Sequence, residues 1–298
     1  MSGAEHAAPA KRQVRIAVVI PAGPRDDILD TLASVVHYTG PSRIIVVIDD
    51  KSPLGSDATH IHDLSPDIAV VPVSGEHGID GRLWVKVAAG YRWLLERYQP
   101  GIVLRLDADA LLIGYGIEAA AEKAFAESPG TGLLGSYRIG PDGQPRDFSP
   151  VRREIRAETG LPGLRHPQCR SHLRRHLRVA REHGYIDGEH VLASACIHSY
   201  QAVNWMYENG LLDQPWLAAS RLGDDHIMAL LTVAGGYRIG DFGGPADPIA
   251  VRWKGLPAHP EELLAARKLI THSVRFWQDL DERHIRSIFA QARNGGGG

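Results

Sequence analysis

The stretch GIVLRLDADALL, residues 101–112, is an apolar run that contains two aspartates, one residue apart, near its end. Its apolar residues predict a buried strand over 101–109, with Asp107 and Asp109 at the carboxyl end. Because successive strand side chains alternate in direction, both carboxylates would face one spot. An ionised carboxylate against apolar surface is costly unless a partner neutralises it. The pair indicates a hard divalent cation such as Mg²⁺, Ca²⁺ or Mn²⁺. The simpler interpretation is one aspartate capping a turn and one facing water.

Three earlier runs have the same apolar character and predict buried strands, at residues 14–23, 43–52 and 67–74. Between and after the strands, apolar residues recur at helical spacing, as in the alanine-rich segment 116–128. Near-continuous apolar strands that alternate with helices predict an α/β fold with a mostly parallel central sheet flanked by helices.

After about residue 140 the pattern changes, and polar residues, arginines and histidines become frequent. We expect a disordered N-terminus over 1–13, a nucleotide-binding half over 14–140, a substrate-shaping half over 141–290 and a flexible tail over 291–298. In the second half, the sequence predicts a strand or turn leading into a helix at 194–210, an aspartate-capped helix at 224–236, a short strand at 237–242 and a long final helix that begins at residue 259.

Composition limits the kinds of protein that this chain can be. Of its 298 residues, 44% are hydrophobic and 23% are charged, and the net charge is −2, so nothing global favours nucleic acid or a membrane surface as partner. No run reaches the ~20 apolar residues that span a bilayer. Cys169 and Cys196 are too few for a disulfide framework. We therefore expect a cytoplasmic protein with no transmembrane segment.

Two further acidic pairs have both a functional and a simpler interpretation. Asp49 and Asp50 end the second strand, where an acid can accept hydrogen bonds from ribose or a base, although the same residues also begin turns. Asp224 and Asp225 open a predicted helix, and one of them would serve as its cap. The other is then available as a general base beside a metal site.

Basic residues concentrate in the segment 164–183, which has six arginines, four histidines and a single acid, Glu182. A solvated helix face explains such a run, and contact with an anionic acceptor or a partner is the alternative. His172 and His176 have a spacing seen in zinc sites, but no cysteine or acid completes a set. His272 lies in a helical pattern, and its spacing does not place it near Asp109.

Taken in order, the segments AVVIPAGPR, IIVVIDDKS, LRLDADALL, RLGDDHIMAL and THSVR resemble the landmarks of a GT-A fold glycosyltransferase, similar to glycosyltransferase family 2. The resemblance spans roughly residues 14–275, and its specificity lies in the order of the motifs. It implies a GT-A type sheet with a nucleotide-sugar-binding first half and an acceptor-binding second half. It also implies a nucleotide-diphosphate sugar donor, a Mn²⁺ or Mg²⁺ cofactor and a small hydroxyl acceptor, anionic if the arginine segment contacts it.

By this resemblance Asp109 binds the metal, with His272 as a further ligand, Asp225 is the base that deprotonates the acceptor and Asp224 contacts the acceptor. The donor nucleotide and sugar would lie against Pro21, Ala22, Asp50, Arg82, Lys86, Asp107 and Ala108. The reaction would invert the anomeric carbon, although a late metal-binding histidine also occurs in retaining members. The family's usual Glu-Asp pair is Asp-Asp here, and the segment GIDGRLWVK departs from the family pattern.

Two other classes share part of the pattern. A haloacid-dehalogenase-like phosphohydrolase would use Asp107 as nucleophile and Asp109 as acid and base, with Asp224 and Asp225 near magnesium. In that class the nucleophile normally ends the first strand, whereas three strand–helix units precede Asp107, and Leu111 replaces the expected Thr or Val. A non-catalytic nucleotide-sugar-binding module would keep Asp107 and Asp109 without needing Asp225.

Overall fold

The computed structural model of the protein describes residues 10–23, 26–50, 57–73 and 80–295. The strands within these ranges are β1 (Arg12–Ala22), β2 (Arg43–Asp50), β3 (Ile68–Val73), β4 (Tyr98–Leu106), β5 (Ala110–Leu112), β6 (Thr131–Gly135), β7 (Ala195–Ser199), β8 (Arg238–Asp241), β9 (Ile249–Val251), β10 (Ile270–His272), β11 (Phe276–Trp277) and β12 (Leu280–Asp281). The helices are α1 (Ile28–Tyr38), α2 (Asp57–Leu64), α3 (Gly81–Arg97), α4 (Ile117–Glu127), α5 (Ser149–Thr159), α6 (Pro167–Glu182), α7 (Tyr200–Glu208), α8 (Asp224–Ala234), α9 (Pro260–Ala265) and α10 (Glu282–Gly295). Two short 3₁₀ helices cover Pro162–Arg165 and Pro215–Ala219.

The central sheet of the described chain has seven strands in the order β3-β2-β1-β4-β7-β6-β8. All neighbouring pairs are parallel except those of β7, which runs antiparallel to both β4 and β6. Helices cover both faces, so the predicted α/β fold with a mostly parallel, helix-flanked sheet is confirmed.

Alternation along the strands sends apolar side chains to two separate cores. In β1, Ala17 and Val19 pack with Trp84 and Tyr91 of α3 on one face, and the same core extends to α6 and α8. Ile16, Val18 and Ile20 point to the opposite face and pack against α1 and α4. A strand buried on both faces is apolar at every position, which is why these segments lack polar alternation.

A second, three-stranded sheet in the order β5-β10-β9 lies at the carboxyl ends of the central strands. The main chain leaves β4 at Leu106 and turns, with Ala110 N–H donating to the Asp107 carbonyl at 3.1 Å. It then enters β5, which pairs antiparallel with β10 so that Ala110 lies opposite His272. This register brings a residue from near the end of the chain beside the two aspartates.

Four local predictions are wrong. His272 ends a strand rather than lying in a helix, because Ile270 and Thr271 are buried between β5 and β9. The predicted long helix from residue 259 is α9, which ends at Ala265, and the long final helix is α10. Asp107 and Asp109 lie in a turn after β4, not in the strand. The predicted aspartate cap of α8 is absent, because the N-cap is Gly223 and Asp224 is already the first helical residue. The His226 ring accepts the Gly223 N–H at 2.9 Å.

The ends of the chain also differ from the expected boundaries. β1 begins at Arg12, inside the predicted disordered segment, whose residues 1–9 lie outside the described part. Helix α10 extends to Gly295, so residues 291–295 are helical where we predicted a flexible tail. The last turns of this helix are attached to α1, because Arg293 makes an ion pair of 2.7 Å with Asp30. No helix among the described residues combines the length and apolar character needed to cross a membrane.

Candidate metal and catalytic site

Asp107, Asp109 and His272 converge at the carboxyl edge of the central sheet. One ligand-type atom from each lies within 4.8 Å of the others. His272 Nε2 is 3.2 Å from Asp109 Oδ1 and 3.6 Å from Asp107 Oδ2. The expectation that both aspartates face one spot therefore holds, although a turn and a strand pairing, rather than strand alternation, bring them there.

Each of these residues has one polar atom engaged with the protein and one directed at the shared point. Asp109 Oδ2 accepts from Ser273 Oγ at 2.8 Å and from Arg275 Nε at 3.0 Å, which leaves Oδ1 toward His272. Asp107 Oδ1 accepts from Arg105, which leaves Oδ2. His272 Nδ1 lies 2.6 Å from the Arg252 carbonyl. Because a carbonyl only accepts, Nδ1 carries the proton and Nε2 of the neutral ring presents a lone pair.

His272 and the two aspartates stabilise each other's charged forms. Burial opposes ionisation of Asp109, but His272, Ser273 and Arg275 outweigh it and hold the pKa of the carboxyl well below its usual range. Burial would likewise lower the pKa of His272, yet the two aspartates raise it above its ordinary value. Two carboxylate oxygens and one imidazole nitrogen form a donor set that fits a divalent cation such as Mn²⁺ or Mg²⁺. The protein thus offers three donors for one cation, and the identity of any metal is open.

Arg105 connects this group to the acidic pair at the start of α8. Its guanidinium is 1% exposed and contacts Asp107 with one terminal nitrogen and Asp224 Oδ2, at 2.9 Å, with the other. The two carboxylates outweigh the effect of burial and raise the pKa of Arg105 further. Asp224 is also buried, and burial raises its pKa despite the opposing charge of Arg105. Asp224 therefore lies behind the site and contacts Arg105.

Asp225 forms a second group with His190 and His226. Its side chain is 20% exposed, more than that of Asp224 at 8%. Asp225 Oδ1 accepts the backbone N–H of His226 at 2.9 Å and lies 3.4 Å from His226 Nε2, while Oδ2 is 3.9 Å from His190 Nε2. These contacts orient a carboxylate that solvent and small molecules can reach.

Hydrogen-bond partners make this second group a poor metal site. His226 Nδ1 accepts a backbone N–H from Gly223, so the proton of the neutral ring is on Nε2, the atom that faces Asp225. His190 Nδ1 donates to the Gly188 carbonyl, and its Nε2 accepts from Arg146 at 2.8 Å. Burial lowers the pKa of His190 to about 4, so the ring is neutral at pH 7. The geometry instead suits a carboxylate that takes up a proton.

Several of the other predicted donor-binding residues lie at the same edge of the sheet. Pro21 and Ala22 are the last two residues of β1, and Ala22 is buried. Asp50 is the last residue of β2, but its side chain lies outside the described part of the structure. The Ala108 carbonyl accepts from Thr31 Oγ1 at 2.6 Å, and the Ala108 side chain is buried.

Arg82 and Lys86 lie in the first two turns of α3, which follows β3 and so begins at the same sheet edge. Arg82 contacts Asp80 through two nitrogens, at 2.9 and 3.0 Å. Lys86 is 3% exposed. The structure brings Asp107, Asp109 and His272 into contact.

Sequence reasoning did not identify several residues that hold this site together. One signal was present for Arg105, because a charged residue inside an apolar strand needs a buried partner. Ser273 and Arg275 belong to the THSVR motif, but only the fold brings them to Asp109. His226 lies within the quoted segment RLGDDHIMAL, and no sequence signal marked Arg146 or His190.

Comparison of the chain with models of known protein families and with curated proteins finds no match in either set.

Proposed function

We propose that this protein is a metal-dependent glycosyltransferase of GT-A type that moves a sugar from a nucleotide-diphosphate sugar to a hydroxyl group. The observation that carries the proposal is the convergence of Asp109 Oδ1, Asp107 Oδ2 and His272 Nε2 at the carboxyl edge of the sheet. Open α/β sheets bind ligands at this edge. A divalent cation at these donors would neutralise the charge that develops on a departing diphosphate.

The donor pocket in this proposal follows the ends of β1, β2 and β4. Asp109 and His272 hold the metal, with Asp107 supporting it through the oxygen that Arg105 leaves free. Pro21, Ala22 and Asp50 line the nucleotide pocket, Ala108 lies between the two aspartates, and Arg82 and Lys86 approach from α3. The resemblance of the motifs in their chain order supports this assignment.

On the acceptor side, Asp225 is the proposed general base. It accepts the proton of the acceptor hydroxyl as that oxygen attacks the anomeric carbon from the face opposite the diphosphate, which inverts the configuration. His226 and the neutral His190 keep the carboxylate oriented. The resemblance predicts that Asp224 contacts the acceptor. In this scheme Asp224 is too buried to reach the acceptor and instead positions Arg105. A retaining reaction would leave Asp225 with an acceptor-positioning role.

The phosphohydrolase alternative receives less support from the geometry. Its nucleophile would be Asp107, whose Oδ1 is held by the buried Arg105 guanidinium. An arginine in direct contact withdraws charge from a carboxylate and weakens it as a nucleophile. No observation on the described residues favours this alternative.

A thermal-shift experiment tests the proposal. The protein is heated with UDP, GDP and dTDP, each with and without Mn²⁺. We expect one nucleotide to stabilise the protein only when the metal is present, by about 2.7 kcal/mol at a hundredfold excess over its Kd. Asp109→Asn and His272→Ala should remove this effect, whereas Asp213→Asn, at an exposed position, should keep it. Absence of metal-dependent stabilisation for all three nucleotides would contradict the proposal.

The role of Asp225 is tested separately, by the products of the reaction. Asp225→Asn should bind the nucleotide with nearly wild-type affinity but lose transfer, because the amide cannot accept the hydroxyl proton. Wild-type transfer by this variant would refute the assignment. NMR of the first-formed product then distinguishes an inverting from a retaining reaction.

A further inference from the structure

A groove lined by four arginines runs along α6. Its volume is about 510 Å³, and it is lined by Thr159 at the end of α5 and by residues of α6. The α6 residues are Arg174, Arg175, Leu177, Arg178 and Arg181. None of them belongs to either carboxylate group of the candidate site, so this arginine groove is a separate feature.

Most arginines of the groove have no carboxylate partner among the described residues. Arg181 pairs with Asp187 at 2.6 Å. Within the ranges that the structure describes, Arg174, Arg175 and Arg178 are exposed and make no side-chain hydrogen bond or ion pair with a carboxylate. Like charges three and four residues apart on a helix repel each other. The groove therefore gathers positive charge that the protein itself does not balance.

Glu182, the residue after Arg181, is exposed and has no ion pair with an arginine of the groove among the described residues. The two acids of α5 nearest to Thr159 are directed elsewhere. Glu158 of α5 accepts from Ser220 Oγ at 2.6 Å and from the Arg221 backbone N–H. Glu154, one turn earlier, lies 3.3 Å from Arg221 Nε. Both carboxylates thus contact the segment before α8, and α5 presents only Thr159 to the arginine groove.

The arrangement of the guanidinium groups selects the chemistry of a ligand. Arg174, Arg178 and Arg181 lie on one stripe of α6, about one helical turn of 5.4 Å apart. A guanidinium binds phosphate through a planar fork of N–H donors, so neighbouring turns can each engage a separate phosphate group. The concave groove suits a small molecule better than a flat bilayer, and its short length and the net charge of −2 disfavour nucleic acid.

We propose that the arginine groove binds a small molecule that carries two or more phosphate groups, at a site distinct from the candidate metal site. This inference does not depend on the glycosyltransferase proposal. It accounts for the basic segment 164–183, for which a solvated face was the alternative explanation.

Isothermal titration calorimetry with inorganic tripolyphosphate tests this site, using the full chain in buffer with EDTA so that no divalent metal is present. We expect binding that weakens with added salt. Arg174→Gln combined with Arg178→Gln should weaken it about tenfold or more, because charged hydrogen bonds are lost. Arg283→Gln, an exposed arginine of α10, and Asp109→Asn should bind as tightly as the wild-type protein. Circular dichroism verifies that the variants fold.

Three outcomes would overturn the proposal. The first is no measurable binding of tripolyphosphate by the wild-type protein, and the second is equal binding by the double variant. The third is that the protein sediments with phosphatidylglycerol vesicles but does not bind tripolyphosphate. That result would identify the groove, together with the exposed Leu161 and Leu164, as a membrane-docking surface. A loss of nucleotide binding at the metal site, by contrast, leaves this result unaffected, so the two proposals fail separately.

Discussion

At the scale of single residues, Arg105 determines how the acidic residues of the site coexist. It is 1% exposed, and it contacts Asp107 and the buried Asp224. A buried ion pair adds little net stability over an apolar replacement, but loss of one partner leaves the other charge buried without compensation. Two arginines therefore neutralise the aspartates of the site: Arg105 contacts Asp107, and Arg275 contacts Asp109. His272 is a further partner of both.

We predict that Arg105→Met lowers the free energy of unfolding by about 3–5 kcal/mol, because Asp224 then remains buried without its cation. Urea denaturation at pH 7.5 measures the loss. Adding Asp224→Asn to this variant should recover part of the lost stability, since the uncompensated charge is removed. A single variant as stable as the wild-type protein, or a double variant with no recovery, would show that Arg105 does not have this role.

At the scale of elements, α10 supports the turn that carries the two aspartates. Arg286 of α10 is 5% exposed and donates to Asp30 at 3.0 Å and to the Ala108 carbonyl at 3.1 Å. Its Nε donates to Glu282 at 3.0 Å. A residue of the last helix thus holds the backbone between Asp107 and Asp109.

We predict that Arg286→Ala lowers the free energy of unfolding by about 1–3 kcal/mol, because Asp30 and the Ala108 carbonyl each lose a buried donor, while Arg293 still pairs with Asp30 and Thr31 Oγ1 still donates to Ala108. It should also weaken Mn²⁺ binding, measured by calorimetry, since the turn loses its support. Arg283→Ala, at an exposed position on the same helix, should change neither quantity. Equal stability and metal affinity in the two variants would contradict this account of α10.

At the scale of the whole molecule, the core that α3, α6 and α8 share has buried histidines beside it that stay neutral. Burial lowers the pKa of His176 and His190 to about 4 and that of His198 to about 3. In the unfolded chain a histidine has a pKa near 6.5. Between these values the unfolded chain binds more protons than the folded chain, so acid favours unfolding. The raised pKa values of Asp224 and His272 act in the opposite direction.

We predict that stability falls as the pH is lowered from 6.5 toward 4, with each buried histidine contributing about 1.4 kcal/mol per pH unit inside that window. Urea midpoints at pH 7.5, 6.0 and 5.0 measure this slope. His198→Phe should flatten it and cost little stability at pH 7.5, because among the described residues His198 Nδ1 has no hydrogen-bond partner and Nε2 contacts only the weak acceptor Met228 Sδ, at 2.8 Å. His60→Gln, at an exposed position, should leave the slope unchanged, and an unchanged slope in His198→Phe would refute the assignment.

By itself, the sequence determined the alternation of strands and helices up to the fourth strand and the location of Asp107 and Asp109 near the end of that strand. These features depend on local periodicity and on runs of apolar residues, and both are properties of neighbouring positions. The same local signals misassigned His272, because its helical spacing competes with burial between two strands that are distant in the chain.

Only the tertiary structure decided which residues meet and which of two His/Asp groups suits a metal. The pairing of β10 with β5 brings His272 to Asp109, and this contact between remote segments leaves no periodic signal. The choice between the two groups depends on which ring nitrogen is protonated. That is set by a carbonyl at His272 Nδ1 and by a backbone N–H at His226 Nδ1, partners that exist only in the folded chain.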